Sequence, residues 1–161
     1  LIISDVDEIP SKQKLEFITS CDFKKIAPVA LEQHLFHIDC NFLRLESWRG
    51  SIATTIEICN AYSPQELRRN RNRISHFFDS GWSFSSFGGP EKIKEKFEAF
   101  AHKEYNNDKF KNIDHILNCQ KTGKDLFKKN VETKKVDRTF FPKDLLELME
   151  KNENFYFGTN K

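Results

Sequence analysis

Apolar and polar positions change their period several times along this 161-residue chain, and each change marks an element. LIIS at 1–4 is a short, continuously apolar run ending at Asp5. Such a run suits an interior strand whose C-terminal end faces a site, as strands do in open α/β sheets. Pro10 then precedes SKQKLEFITS, where Leu15, Phe17 and Ile18 form one apolar side and predict a helix over 11–19. QHLFHIDCNFLRLE at 33–46 and SIATTIEIC at 51–59 alternate loosely, which predicts two or three strands joined through WRG at 48–50.

AYSPQELRRNRNR holds the sharpest local signal. Ser63 is a natural N-cap, Pro64 suits the first helical position, and Glu66 falls third, completing a capping box. HFFDSGWSFSSFGG, after Ile74, predicts a strand leading into a tight turn at Gly88 and Gly89. PEKIKEKFEAFAHKE reads as a helix started by Pro90, with Ile93, Phe97, Phe100 and Ala101 at helical spacing and the lysines facing solvent. NDKFKNIDHILNC places Phe110, Ile113, Ile116 and Leu117 on one face, and FPKDLLELMEKN, with Leu145, Leu146 and Leu148, makes a final helix. Between them QKTGKDLFKKNVETKKVDRTF is charged and weakly periodic, a surface connection with one helical turn. The reading is a single α/β domain over 1–161.

Composition changes this picture little. Apolar residues at 38% suffice for a core, and a net charge of +2 argues against a nucleic-acid clamp. The cysteines at 21, 40, 59 and 119 include no CxxC pair, so zinc-knuckle and thioredoxin-like chemistry are not supported. No signal peptide is visible, and no apolar run approaches the roughly 18 residues a membrane span needs. The expectation is a soluble, cytoplasmic chain with free thiols.

The chemistry concentrates at Asp5-Val6-Asp7-Glu8. Two aspartates two apart at a strand tip can converge on one divalent ion. A similar pattern opens haloacid-dehalogenase-type phosphatases, but Ile9 stands where Thr or Val belongs and no later GDxxxD-like motif follows. ISDVDEIP at 3–10, YSPQELRR at 62–69, SGWSFSSFGGPEKIKEKFEAFAHKE at 80–104 and the closing FFPKDLLELMEKNENF resemble, in order and spacing, the second half of family-17 glycosyltransferases. That family includes the β-1,4-N-acetylglucosaminyltransferase that adds the bisecting residue to N-glycans.

The resemblance implies a GT-A type nucleotide-sugar fold in which a DxD motif binds Mn²⁺ or Mg²⁺ on the donor diphosphate. It also implies a nucleotide-binding half ahead of the DxD, so the chain is expected to be the C-terminal portion of such a catalytic domain, with an exposed sheet edge and negligible turnover in isolation. The activity implied is inverting, metal-dependent transfer of N-acetylglucosamine or a related hexose. The donor would be a nucleotide sugar of the UDP-sugar class and the acceptor a glycan hydroxyl. By the family pattern Asp7 is the direct metal ligand and Asp5 the helper through water or ribose, with Glu8 orienting donor or acceptor. His102 and Glu104, in FAHKE, match a family pattern; His102 is assigned to metal and Glu104 to substrate.

Glu91 is the candidate base for the acceptor hydroxyl, at a glycine-to-helix junction where the dipole favours its carboxylate; it reads equally as an ordinary helix-stabilising acid. Trp82 reads either as a platform for a sugar face or as core. Arg68 and Arg69 point in different directions on a helix, and Arg69 is assigned to substrate. The other histidines offer no ligand role. The family usually has histidine directly after this tryptophan, where this chain has Ser83. That departure, with the missing half, motivates the alternative of a non-catalytic glycan- or partner-binding remnant.

Overall fold

The computed structural model describes residues 1–20, 22–99, 107–152 and 155. Its sheet is mixed, with β1 (Ile2–Ile3), β2 (Glu8–Pro10), β3 (Val29–His37), β4 (Phe42–Ala53), β5 (His76–Phe77), β6 (Gly81–Ser85) and β7 (Thr133–Lys135). The strand order is β1-β4-β3-β6-β2, with β5 on β3 and β7 on β4. The β3–β5 pair is parallel; the β1–β4, β2–β6 and β4–β7 pairs are antiparallel. The α/β class expected from the alternating patterns is therefore present. The described residues form two compact units.

The first unit comprises Leu1–Leu35 and Ser47–Ser83. Among the described residues β1 pairs only with β4, through Ile2 opposite Ala53 and Ile3 opposite Ile52, so it ends the strand order instead of lying in the interior. Both its residues are half-buried, as a strand covered on one side would be. WRG is not a connection: it lies inside β4. Gly50 serves close packing there, because a Cβ at this position would sit 2.3 Å from Gln33 Oε1 and 2.4 Å from Glu8 Oε1. After Ala53 the expected strand yields to helix α2 (Ile56–Ala61), since the Thr55 side chain accepts the Ile58 N–H at 3.3 Å and caps it. Helix α1 (Lys12–Ser20) forms where expected but buries none of its residues completely; Phe17 meets the Phe77 ring edge-on at 5.5 Å. Helix α3 (Pro64–Arg69) starts as read, with Ser63 Oγ accepting the Glu66 N–H at 3.3 Å.

The second unit comprises Phe36–Glu46 and Phe84–Lys161. Gly88 and Gly89, both at left-handed φ, lead into α4 (Gly89–Ala99); the expected continuation through Phe100 lies outside the described residues. α4 packs with α5 (Asp108–Lys111) and α6 (Ile113–Thr122) around Ile38, Ile93, Phe97, Ile116, Cys119 and Leu126. A second aromatic cluster joins Phe36, Phe84, Phe140 and Phe141, and helix α7 (Lys143–Glu150) buries Leu145 and Met149. Leu148 is exposed, so the buried stripe of α7 runs through positions four apart. Segment 120–140 is more than a surface connection: Asp125 and Leu126 are buried, and β7 pairs with β4 through Leu43 opposite Lys134.

Candidate active site

The Asp5-Val6-Asp7-Glu8 turn joins β1 to β2 in the first unit. It closes through the Glu8 N–H, which donates to the Asp5 carbonyl at 3.2 Å. The Glu8 side chain points inward and is almost wholly buried. Its Oε2 accepts from the Asp5 N–H at 3.0 Å, Ser51 Oγ at 3.1 Å and Ser4 Oγ at 3.3 Å, while Gln33 Nε2 donates to Ser51 Oγ at 3.2 Å. Glu8 Oε1 and Gln33 Oε1 have no hydrogen-bond partner among the described residues. Burying a carboxylate is tolerable only where donors converge on it, and here the converging donors include the turn's own backbone. The result presents Val6 fully to solvent, with Asp5 and Asp7 half-buried on either side of it.

Arg68 on α3 reaches this turn. Its guanidinium grips Asp5 with two parallel bonds, Nη1 to Oδ1 at 2.5 Å and Nη2 to Oδ2. The Asp5 hydrogen bond, then the charges of Asp5, Glu8 and Asp7, raise the Arg68 pKa further above its ordinary value against the opposing effect of burial. Arg69, one position on, is exposed and has no ion-pair partner among the described residues. The Ser63 cap sets this phase: with Ser63 fixed as N-cap, Leu67 turns to the core and Arg68 flanks it. The same 100° spacing in the sequence distinguishes the two arginines once the buried face is known.

Two carboxylates on one turn suit an Mg²⁺ or Mn²⁺ ion that takes its remaining oxygens from a diphosphate and water. Among the described residues no group of three or more His, Cys, Asp or Glu side chains is placed to hold a metal by itself. A cation at this turn would therefore take most of its ligands from elsewhere, and both Asp5 oxygens are already held by Arg68.

Trp82 lies on β6 opposite Ile9, and its neighbour Ser83 lies opposite Glu8. Alternation along the strand puts Ser83, which is buried, on the Glu8 face and Trp82 on the other. The Trp82 ring is half-buried and stands 6.4 Å from the His34 ring, whose Nε2 pairs with Asp79 Oδ1 at 2.8 Å. Glu91 belongs to the second unit, exposed in the first turn of α4. The glycine-to-helix junction expected around it is present, with Gly88 at φ 109° and Gly89 at φ 87°. His102 and Glu104 lie outside the described residues.

Pattern reading missed a buried charged network in the second unit. Arg44 on β4 bonds His37 Nδ1 at 2.8 Å, the buried Asp125 Oδ2, and Glu46 Oε1 at 2.9 Å. Burial, then the Arg44 charge, lowers the His37 pKa to about 3, with Lys96 and Lys129 adding to the effect against Asp125. His37 is therefore neutral, with Nδ1 accepting. Burial alone raises Asp125, but the Arg44 hydrogen bond, the Lys129 N–H and the Arg44 charge hold its carboxyl below the usual range. Asp125 lies 81 positions from Arg44, too far to give a periodic signal, so only the folded chain reveals this group. The thiols of Cys40 and Cys119 are raised chiefly by burial, and neither is a nucleophile near neutral pH. No helix among the described residues is long and apolar enough to cross a membrane.

No curated protein and no solved structure matches the chain. The model of glycosyltransferase family 17 matches residues 1–153, a span that takes in the Asp5–Glu8 turn, the Arg68 helix and the glycine-to-helix junction before Glu91. The chain belongs to glycosyltransferase family 17.

Proposed function

We propose that this chain carries the acidic motif of a GT-A type, inverting, metal-dependent glycosyltransferase. It would transfer N-acetylglucosamine or a related hexose from a UDP-sugar class donor to a glycan hydroxyl. Family membership supports the transferase reading, and the observation that bears the finer one is the Asp5–Glu8 turn with Arg68 clamped to it. Mn²⁺ or Mg²⁺, when bound, supplies positive charge against the diphosphate leaving group.

The residues divide the work. Asp7 holds the cation and Asp5 assists it, through water or ribose. Glu8 orients the donor indirectly, by fixing the backbone on which both aspartates stand. Arg68 holds Asp5, and the exposed Arg69 adds a guanidinium group suited to phosphate. Glu91 takes the proton from the acceptor hydroxyl at its carboxylate, which stands exposed in the first turn of α4. Trp82 offers the apolar face of a sugar a platform.

Calorimetry with Mn²⁺ and a panel of nucleotide sugars tests this directly. Donor binding that requires Mn²⁺ and is lost in Asp7→Ala is the expected result, and Glu91→Gln should retain that binding. Donor binding indifferent to Asp7→Ala would sink the reading. The alternative, a non-catalytic glycan- or partner-binding relative, draws on Ser83: a small buried hydroxyl stands opposite Glu8 where the family places an imidazole. Glycan binding without metal would favour it.

A further inference from the structure

The segment KDLFKKN at 124–130 builds a second candidate site, far in sequence from the acidic turn and contained in the second unit. Gly123, at φ 69°, ends α6 and turns the chain; a Cβ there would sit 2.4 Å from the Phe42 ring. Asp125 then organises the loop that follows. Its Oδ1 accepts the N–H groups of Phe127 at 2.8 Å and Lys129 at 3.1 Å, its carbonyl accepts the Lys128 N–H at 3.1 Å, and its Oδ2 is gripped by Arg44. Lys128 is held at φ 60°, a left-handed conformation uncommon for a residue with a side chain. The loop is therefore a specified structure and not a solvated charge run.

This loop borders a cleft of about 630 Å³, within the size range of small-molecule sites. Lys124, Lys128 and Lys129 line it, and none of the three has an ion-pair partner among the described residues. Asp125 is the one carboxylate among the lining residues, and its charge is already met by Arg44 and two N–H groups. Three cations fall within six residues of one loop and line one cleft, and a bound polyanion relieves their mutual repulsion. The remaining wall decides the rest of the ligand. It holds no arginine, the residue whose planar fork selects a carboxylate, and lysine acts instead as a compact point charge suited to tetrahedral oxyanions. Among the described residues it holds no phenylalanine, tyrosine or tryptophan on which a base would stack, and its one imidazole, His115, is tied through Nε2 to the Leu126 carbonyl at 2.9 Å, whereas Asn130 and Thr133 offer partners for hydroxyl groups.

We propose that the cleft bordered by Lys124, Lys128 and Lys129 binds a saccharide bearing a phosphate or sulfate group. This inference is independent of the metal and donor reading, because it uses no residue of the Asp5–Glu8 turn. The test uses the full chain labelled with ¹⁵N, titrated without metal or nucleotide with glucose 6-phosphate, glucose 6-sulfate, glucose and inorganic phosphate. Saturable shifts centred on residues 124–133 are expected with glucose 6-phosphate or glucose 6-sulfate. Affinity should be at least threefold above that for inorganic phosphate, and glucose alone should produce no shifts. The triple variant Lys124→Gln/Lys128→Gln/Lys129→Gln should weaken binding at least tenfold, while Asp7→Ala leaves it unchanged. Equal affinity for inorganic phosphate, shifts located elsewhere, or undiminished binding by the triple variant overturns the proposal.

Discussion

Gly50 is the residue whose replacement speaks most directly to the acidic turn. A methyl group there meets the ends of Gln33 and Glu8, and the carboxylate that supports the Asp5 N–H must move. Gly50→Ala should therefore cost about 1–3 kcal/mol in urea denaturation, as overpacking does, and should disturb the turn although it touches no ligand. In the second unit His37 gives a pH signature. Its folded pKa of about 3 lies below the ordinary 6.5, so its stabilising contribution is full above pH 6.5 and declines as pH falls toward 3. Over that window the unfolded chain takes up a proton that the folded unit refuses, costing at most about 1.4 kcal/mol per pH unit. Asp125, also depressed, loses its contribution in the same direction at more acidic pH. His37→Gln keeps an acceptor for Arg44 and does not titrate, so the slope of stability between pH 6.5 and 4 should flatten, as measured by urea midpoints. The acids at 5, 7 and 8 were legible as a group because they are adjacent in sequence. Which of them faces inward was not, because the Ser51, Gln33 and Gly50 surroundings of Glu8 come from other strands.

Among the elements, α3 shows what local chemistry reveals in advance. Ser63, Pro64 and Glu66 announce the helix start without any knowledge of the fold, and the Ser63 cap is present at 3.3 Å. Ser63→Ala should cost about 1 kcal/mol, visible as a lowered urea midpoint. If the cap also sets the approach of Arg68, the same variant should loosen the Asp5 pair, visible as altered shifts of the Arg68 guanidinium protons. Strand limits were harder to read. WRG looked like a break because glycine usually punctuates, yet Gly50 lies mid-strand where side chains from two other strands leave no space for a Cβ. The IEIC stretch alternates as a strand would, but Thr55 caps it and helix wins. The charged segment before α7 was misread for the opposite reason: its one buried carboxylate is paired with an arginine 81 positions earlier, a contact without periodic trace.

At the scale of the molecule, the family and the α/β class were legible because both rest on ordered motifs and on repeated changes of hydrophobic period. The two compact units were not, since β3, β4 and β6 each contribute residues to both, and no linker composition marks the passage. The buried Arg44–His37–Asp125 network belongs to one unit only, so acidification should act unevenly. Amide exchange at pH 5 relative to pH 7, corrected for intrinsic rates, should accelerate more in Phe42–Arg44 and in Leu126–Lys129 than in Ala30–Leu35.

Both tryptophans, Trp48 and Trp82, fall within Ser47–Ser83. Emission excited at 295 nm therefore reports melting of the first unit alone, while the phenylalanine-lined core of the second passes unseen. Coincident fluorescence and calorimetric midpoints would mean that the two halves melt as one, and a gap between them would time the dark half against the bright one.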